Sequence, residues 1–413
     1  MPKLAKTKVE EELKKGTDVS IIGLIDSLID YAYNSRASDI HIDPEEKRLR
    51  VRLRIDGILN DAFILPKDIH SEVITRIKVL SGLRTDEHQA AQDGRFRNEI
   101  KEGPPVDIRV SIAPTFYGEN AVLRLLVEKA EKFTFEILGF SEEDKNKVLK
   151  AIKKPYGMIL ATGPTGSGKT TTLYTILKIL NTKEVSIITI EDPIEYAIEG
   201  IDQIQVNSRT GLTFASGLRS ILRQDPNIIM VGEIRDEETA RIAVNAALTG
   251  HLLLSTLHTN DAATALPRLF DMHIEPFLIA STVNIVLGQR LVRRICSNCK
   301  VNKALSIDEL KTLSEVVPPE ILTKYDKATK GKSFAKGTGC EVCNSSGYQG
   351  RIGIHEVLEV NDSIRETIIR KADASEIREI AKKNGMITMT EDGFKKALAG
   401  ITTIEEILRV IHE

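Results

Sequence analysis

The octapeptide GPTGSGKT, residues 163–170, matches the spacing G-x-x-x-x-G-K-[ST] at every position. Gly163, Gly166 and Gly168, interleaved with Pro164, Thr165 and Ser167, allow backbone amides to turn inward around phosphate oxygens. A helix opening at the loop adds the positive end of its dipole. Lys169 is then expected to reach the β- and γ-phosphates, the Thr170 hydroxyl to ligate Mg2+, and Thr171 to continue the helix start beside them. The chemistry this spacing implies is the binding and cleavage of a nucleoside triphosphate such as ATP.

Cleavage needs a group that activates water. NIIMVGEIRD, residues 227–236, is an apolar strand running into Glu233, with Gly232 where nucleotide hydrolases often place a magnesium-holding aspartate. In open α/β sheets the carboxyl ends of the strands face the ligand crevice, so Glu233 is expected to polarise the water or to organise magnesium through one. Mg2+ tolerates the missing aspartate because it keeps several waters and borrows phosphate oxygens. The strand 227–232 is expected beside the loop-bearing strand. EDPIE, residues 191–195, ends another strand and offers Glu191, Asp192 and Glu195 to the same edge, with Pro193 keeping the backbone extended. For all these acids a solvated strand-to-loop junction is the competing reading. His251 and His258, seven residues apart, bracket the apolar strand between them. His258, at its carboxyl end, is the candidate γ-phosphate sensor; His251 is expected to serve a neighbouring subunit or to cap the strand.

The four cysteines form two pairs, Cys296–Cys299 and Cys340–Cys343. Two such knuckles supply the closed tetrahedral shell of a structural zinc, and redox work would need a thioredoxin-like context. The segment between the pairs reads as a protruding arm. Its lysines, Lys324, Lys327, Lys330, Lys332 and Lys336, suit a solvated face, or contact with acidic lipid or a partner.

Such groups need a scaffold. The 413 residues suggest two to three domains, each able to bury a core. A net charge of −2 gives no support to bulk electrostatic binding of nucleic acid, and no specific nucleic acid is expected. No run of eighteen apolar residues spans a bilayer, and the charged N-terminus lacks a signal core, so a cytoplasmic location is expected. Residues 1–20 read as a mobile polar tail. Residues 21–127, with a helix over 21–34, alternating strands, a turn at Asp56-Gly57, a helix near 68–82 and a hairpin over 107–126, read as a small α+β domain. Residues 128–140 read as a linker and 141–290 as alternating apolar strands and helices, hence a parallel sheet covered on both faces. A tetracysteine arm over 291–350 and a helical region over 351–413 complete the order. The fold class expected is α/β, a RecA-like P-loop NTPase core with a smaller N-terminal α+β domain of PAS-like type, a tetracysteine zinc module and a C-terminal helical region.

Taken together, SDIHI, RLRIDG, GPTGSGKT, TIEDPIE, LRQDPNIIMVGEIRDEETA, GHLLLSTLHTNDA, QRLVRRIC and the paired CxxC resemble the ATPases of type II secretion and type IV pilus assembly, from about residue 20 onward. In that family TIEDPIE is the aspartate box, GEIRD lies in an atypical Walker B with glycine before the glutamate, and GHLLLSTLHT is the histidine box. The resemblance implies a homo-hexameric ring, ATP held between the small domain and the core with Asp192, Glu195, His251 and Arg290 near it, and charge neutralisation by Arg109 and Arg124. It also implies mechanical output to an inner-membrane platform protein from the cytoplasmic face. Many members carry a further N-terminal docking domain; this sequence starts fewer than twenty residues before the small domain, so the expectation does not extend to the usual docking partner. Retraction motors generally lack the cysteine pairs, which favours the assembly and secretion branch. A DNA-uptake or DNA-translocating motor with the same core, and a non-catalytic ATP-binding ring scaffold, are the alternatives.

Overall fold

The computed structural model describes residues 2–16, 19–101, 103–126, 133–303 and 334–412. The chain divides into two units, Met1–Glu131 and Lys132–Glu413.

In the first unit, helices α1 (Pro2–Lys14), α2 (Ile21–Asn34) and α3 (His70–Leu80) accompany six strands: β1 (Ala37–Pro44), β2 (Arg48–Ile55), β3 (Ile58–Pro66), β4 (Gln92–Asn98), β5 (Val106–Thr115) and β6 (Gly118–Leu126). The strands form one antiparallel sheet in the order β3-β2-β1-β6-β5-β4. Period-two alternation explains it: Val106, Ile108, Val110 and Ile112 of β5 are buried with Leu24, Leu28, Val73 and Ile77 of the helices, while the residues between them face outward. Asp56 and Gly57, both at positive φ, make the two-residue turn between β2 and β3. The polar start is helical rather than a lead-in. Val9 is fully buried in this core and Leu13, one turn on, packs against it, so an apolar stripe only one turn wide secures α1.

The second unit carries α4 (Phe135–Leu138), α5 (Glu142–Ile152), β7 (Gly157–Thr162), α6 (Lys169–Leu180), β8 (Ile187–Glu191), β9 (Asp202–Gln205), α7 (Phe214–Ile221), β10 (Ile228–Val231), α8 (Glu237–Leu248), β11 (Leu252–Leu257), α9 (Ala262–Asp271), α10 (Pro276–Thr282), β12 (Val283–Ile295), β13 (Lys300–Lys303), β14 (Phe334–Gly337), β15 (Tyr348–Glu359), α11 (Asp362–Ile369), α12 (Ala374–Lys383), α13 (Met389–Leu398) and α14 (Ile404–His412). Seven strands form a sheet in the order β15-β12-β7-β11-β10-β8-β9, parallel except where β15 pairs antiparallel with β12. Successive residues of β7 feed opposite cores: Met158 and Leu160 join one apolar cluster, Ile159 and Ala161 the other. This is why the central strands read as continuous apolar runs.

Three further expectations are corrected. The strand ending near Glu233 does not lie beside β7. β11 pairs with β7 along all six of its residues and takes that edge, leaving β10 one strand further out. The stretch 351–359 is not helical: Tyr348–Glu359 is a strand closing the sheet edge, and its apolar residues are buried on both sides. Finally, the boundary at 290 falls inside β12, which runs unbroken to Ile295. Of the proposed linker, residues 128–132 lie outside the described residues, while Phe135 and Phe140 are buried in the second unit's core.

Candidate active site

The phosphate loop leaves β7 at Thr162 and enters α6 at Lys169. Gly163 is at φ 142°, and a Cβ there would come within 2.3 Å of the Gln289 carbonyl oxygen, so no other residue fits that bend. Helix α6 has no side-chain cap at Gly168, which leaves its first-turn amides to an external anion. The Ser167 hydroxyl is buried without a partner among the described residues. An uncapped helix start, a glycine bend and an orphaned hydroxyl fit a triphosphate, with Thr170 on the first turn of α6 where it would hold Mg2+. Lys169 is buried and donates to the carbonyl oxygens of Gly163 (2.8 Å) and Pro164 (3.0 Å). Burial pulls its pKa below the usual lysine value, an effect that Glu233 partly offsets.

Glu233 follows β10 at the carboxyl edge of the sheet. Its Oε2 lies 2.6 Å from His258 Nε2, and its Oε1 pairs with the Arg235 guanidinium. Burial resists ionisation, but the hydrogen bonds from Arg235 and His258 outweigh it and hold the carboxyl below its ordinary pKa. The strand ends are fixed around this pair: Thr256 Oγ1 donates to the Gly232 carbonyl (2.8 Å), and the Ile234 amide donates to the Thr256 carbonyl (3.0 Å). Gly232 has a packing reason. A Cβ there would stand 3.3 Å from both Glu191 Cα and the Ile190 carbonyl of β8, so an aspartate would have to push that strand aside.

The other expected site residues are not all brought to the loop. Glu191 ends β8, with β11 and β10 between it and β7. Its carboxylate is buried and accepts from the Tyr174 hydroxyl, the Thr189 hydroxyl (2.6 Å) and the Gln203 amide (3.1 Å), so it anchors α6 to the sheet rather than meeting water. Asp192 is exposed and lies within electrostatic reach of Arg235, and Glu195 is half-buried on the same loop. His251 lies at the amino end of β11, on the opposite edge from the loop. Its Nδ1 bonds the Ala246 carbonyl (3.0 Å) and its own carbonyl accepts from the Gly157 amide, so within this chain it caps a turn. Arg290 does not face the nucleotide loop: neighbouring strand residues point to opposite faces, and Arg290 donates to the Val410 carbonyl of α14 while Gln289 faces the loop. In the first unit, Arg109 and Arg124 are direct cross-strand partners, with Arg95 opposite Arg109 and Asp39 opposite Arg124. Arg124 Nε lies 2.9 Å from Asp39 Oδ1.

Two site residues escaped the sequence reading. Arg235 stands two positions after Glu233, a spacing that could have flagged a partner for it. Gln289 Nε2 donates to the Ser167 carbonyl (2.7 Å) and its Oε1 accepts from Thr172 Oγ1 (2.8 Å); only sheet order and strand parity reveal that.

The four cysteine sulfurs converge, all within 4.8 Å of one another. Cys296–Cys340, Cys299–Cys343 and Cys340–Cys343 are 3.9, 3.8 and 3.6 Å apart. A tetrahedral shell with Zn–S bonds of about 2.3 Å has S···S edges of about 3.8 Å, so the donor set and spacing fit zinc. The Asn298 amide donates to Cys340 and lowers its thiol pKa, while burial pushes the Cys299 thiol up, so the sulfurs of the cluster are shifted in opposite directions. The strand pair β13–β14 frames the knuckles. Residues 304–333, with Lys324, Lys327, Lys330 and Lys332, lie outside the described residues; Lys336 is exposed on β14.

A mostly parallel sheet with a glycine loop on a central strand, an uncapped helix after it and a glutamate–histidine pair at the same edge defines a P-loop ATPase. The model of the type II/IV secretion system protein family matches residues 14–409, and the chain belongs to that family. It is 48% identical over 412 residues to the type IV pilus assembly ATPase PilB of Thermus thermophilus, covering 98% of this chain and 45% of that protein. It is 46% identical over 400 residues to type II secretion system protein E of Xanthomonas campestris pv. campestris, covering 96% of this chain and 68% of that protein. The chain thus spans about half the length of the first relative and two thirds of the second. Among solved structures, the pilus retraction motor PilT with bound ADP superposes with a TM-score of 0.62 at 26% identity, covering 94% of this chain and 96% of that one. Among the described residues no helix is long and apolar enough to cross a membrane.

Proposed function

We propose that this protein hydrolyses ATP as a homo-hexameric motor that drives type IV pilus assembly or type II protein secretion, acting on an inner-membrane platform protein from the cytoplasmic face. The kinship with PilB and with type II secretion protein E supports the process, and the loop geometry supports the chemistry.

In this reading the amides of the loop and of the first turn of α6 bind the phosphates, and Lys169 exchanges its loop carbonyls for β- and γ-phosphate oxygens. Thr170 ligates Mg2+, which supplies charge neutralisation on the phosphates when bound. Glu233, ionised and anchored by His258, orients the attacking water and takes up its proton. His258 keeps the carboxylate aimed and responds to the γ-phosphate. Arg109 and Arg124 supply guanidinium charge to the transferred phosphoryl group, which would tie hydrolysis to movement of the first unit. Cys296, Cys299, Cys340 and Cys343 hold zinc as a structural clip.

The single observation carrying the reading is the 2.6 Å Glu233–His258 contact at the loop-bearing edge, with Lys169 buried within electrostatic reach of the carboxylate. The test is ATP turnover and ATP binding by the Glu233→Gln chain. Turnover should fall at least a hundredfold, as for removal of a general base, while binding persists. Turnover at the wild-type rate would refute the assignment.

A further inference from the structure

We propose that Gln289 is a positioning residue for the phosphate loop: its carboxamide holds the Ser167 carbonyl against β12 and so aims the Gly168 amide into the phosphate cradle. The inference rests on the reading that this loop binds ATP.

Gln289 is 2% exposed, and both ends of its amide are engaged. The Ser167 carbonyl oxygen can only accept, so the group facing it at 2.7 Å is the NH2 end. The Thr172 hydroxyl, itself 1% exposed, donates to Oε1 at 2.8 Å and locks that orientation from the other side. One side chain therefore bridges the loop and the first turns of α6. The peptide joining Ser167 and Gly168 is trans, so its C=O and N–H point in opposite directions. Drawing the carbonyl onto β12 turns the Gly168 N–H to the other side, toward the concave face where phosphate oxygens bind. Gly168 tolerates this because it is glycine at φ 88°; a Cβ would stand 3.1 Å from Gln289 Nε2. The Gln289 backbone contributes as well, since its carbonyl oxygen is the atom a Cβ at Gly163 would strike. Two of the loop's three glycine bends, at Gly163 and Gly168, are thus moulded on one residue of β12.

That strand is anchored at several points to residues 401–410. Arg290 donates to the Val410 carbonyl, Arg293 pairs with Glu406 at 2.5 Å, and the Ile295 amide donates to the Ile401 carbonyl. Gln289 therefore works from a fixed platform, as a template for a loop must.

The test measures dissociation constants for Mg·ATP and Mg·ADP, kcat and KM, and thermal midpoints on the whole chain. Q289A should raise Kd and KM by about tenfold, the worth of one buried hydrogen bond to a loop that must stay preorganised, with a smaller effect on kcat. Q289E sets a carboxylate against the Ser167 carbonyl. It should bind worse than Q289A at pH 8 and recover as the pH falls and the acid regains a proton to donate; neither wild type nor Q289A should show that recovery. T172V keeps the shape of α6 and frees the carboxamide to flip. It should weaken binding a few-fold without lowering the thermal midpoint by more than a few degrees, so the test does not depend on Q289A folding. Wild-type Kd in folded Q289A and T172V, or a Q289E pH profile parallel to that of Q289A, would overturn the proposal. Lys169→Ala is the control for the underlying reading: if it also binds ATP normally, the loop is not the nucleotide site, and the failure lies there rather than with Gln289.

Discussion

His258 Nε2 lies 2.6 Å from Glu233 Oε2, so a residue just past β11 steadies a carboxylate just past β10. The two strands are sheet neighbours, and Leu252–Ser255 pair in register with Ile228–Val231. That register brings the two side chains to one edge. Removing His258 leaves Arg235 as the side chain that hydrogen-bonds Glu233 and loses one of the two side-chain hydrogen bonds that depress its pKa. In His258→Ala the acid limb of the pH–rate profile should move upward, and kcat should fall about ten- to a hundredfold with Kd for ATP less affected. A pH–rate profile of the variant beside the wild type checks it.

Glycine at 232 is there for space. Gly232→Asp, which would restore the aspartate common in other nucleotide hydrolases, must push β8 away from 3.3 Å contacts with its backbone. We expect destabilisation by about 1–3 kcal/mol, the usual cost of overpacking, and lower turnover rather than higher. Denaturant unfolding and an ATPase assay read both.

Glu406 shows a pH-linked contribution to stability. Burial resists its ionisation, yet hydrogen bonds from Arg293 and Arg409 and the charge of Arg293 bring its pKa down from 4.5 to about 2. A carboxyl depressed in the folded state stabilises fully above its unfolded value and loses that contribution as the pH falls through its folded value. Glu406→Gln should therefore cost about 2 kcal/mol near pH 7, after allowing for solvent at the partly exposed Arg409. The difference from wild type should shrink between about pH 4.5 and pH 2, and thermal midpoints across that range measure it.

The cysteine cluster should bind one zinc per chain. Cys296→Ser with Cys343→Ser should abolish that stoichiometry and lower the thermal midpoint, and chelation of the wild type should reproduce the shift. Metal analysis with melting curves decides it. An unchanged melt after complete metal removal would show that the clip is not structural.

Arg109 and Arg124 face each other across β5 and β6, where like charges directly opposite are unfavourable without a counter-charge. Asp39 answers Arg124. If both arginines serve the transferred phosphoryl group, Arg109→Ala should lower kcat at least a hundredfold with little change in ATP affinity. Single-turnover hydrolysis distinguishes this from a binding defect.

The sequence alone determined what depends on short range. The glycines of GPTGSGKT marked a sharply bent turn between a strand and a helix, and the two CxxC pairs marked thiols that lie one turn apart. The alternation in β5 and the apolar runs of β7 and β11 identified the antiparallel and parallel sheets through side-chain periodicity. Tertiary structure decided everything that depends on strand order and parity. It put β11 between β7 and β10, gave Glu191 to Tyr174 and Gln203, sent Arg290 to the far face of β12 and turned Gln289 to the loop. Periodicity tells which residues share a face, but not which strand will be the neighbour; that is settled only when the pairing edges and both cores are filled at once.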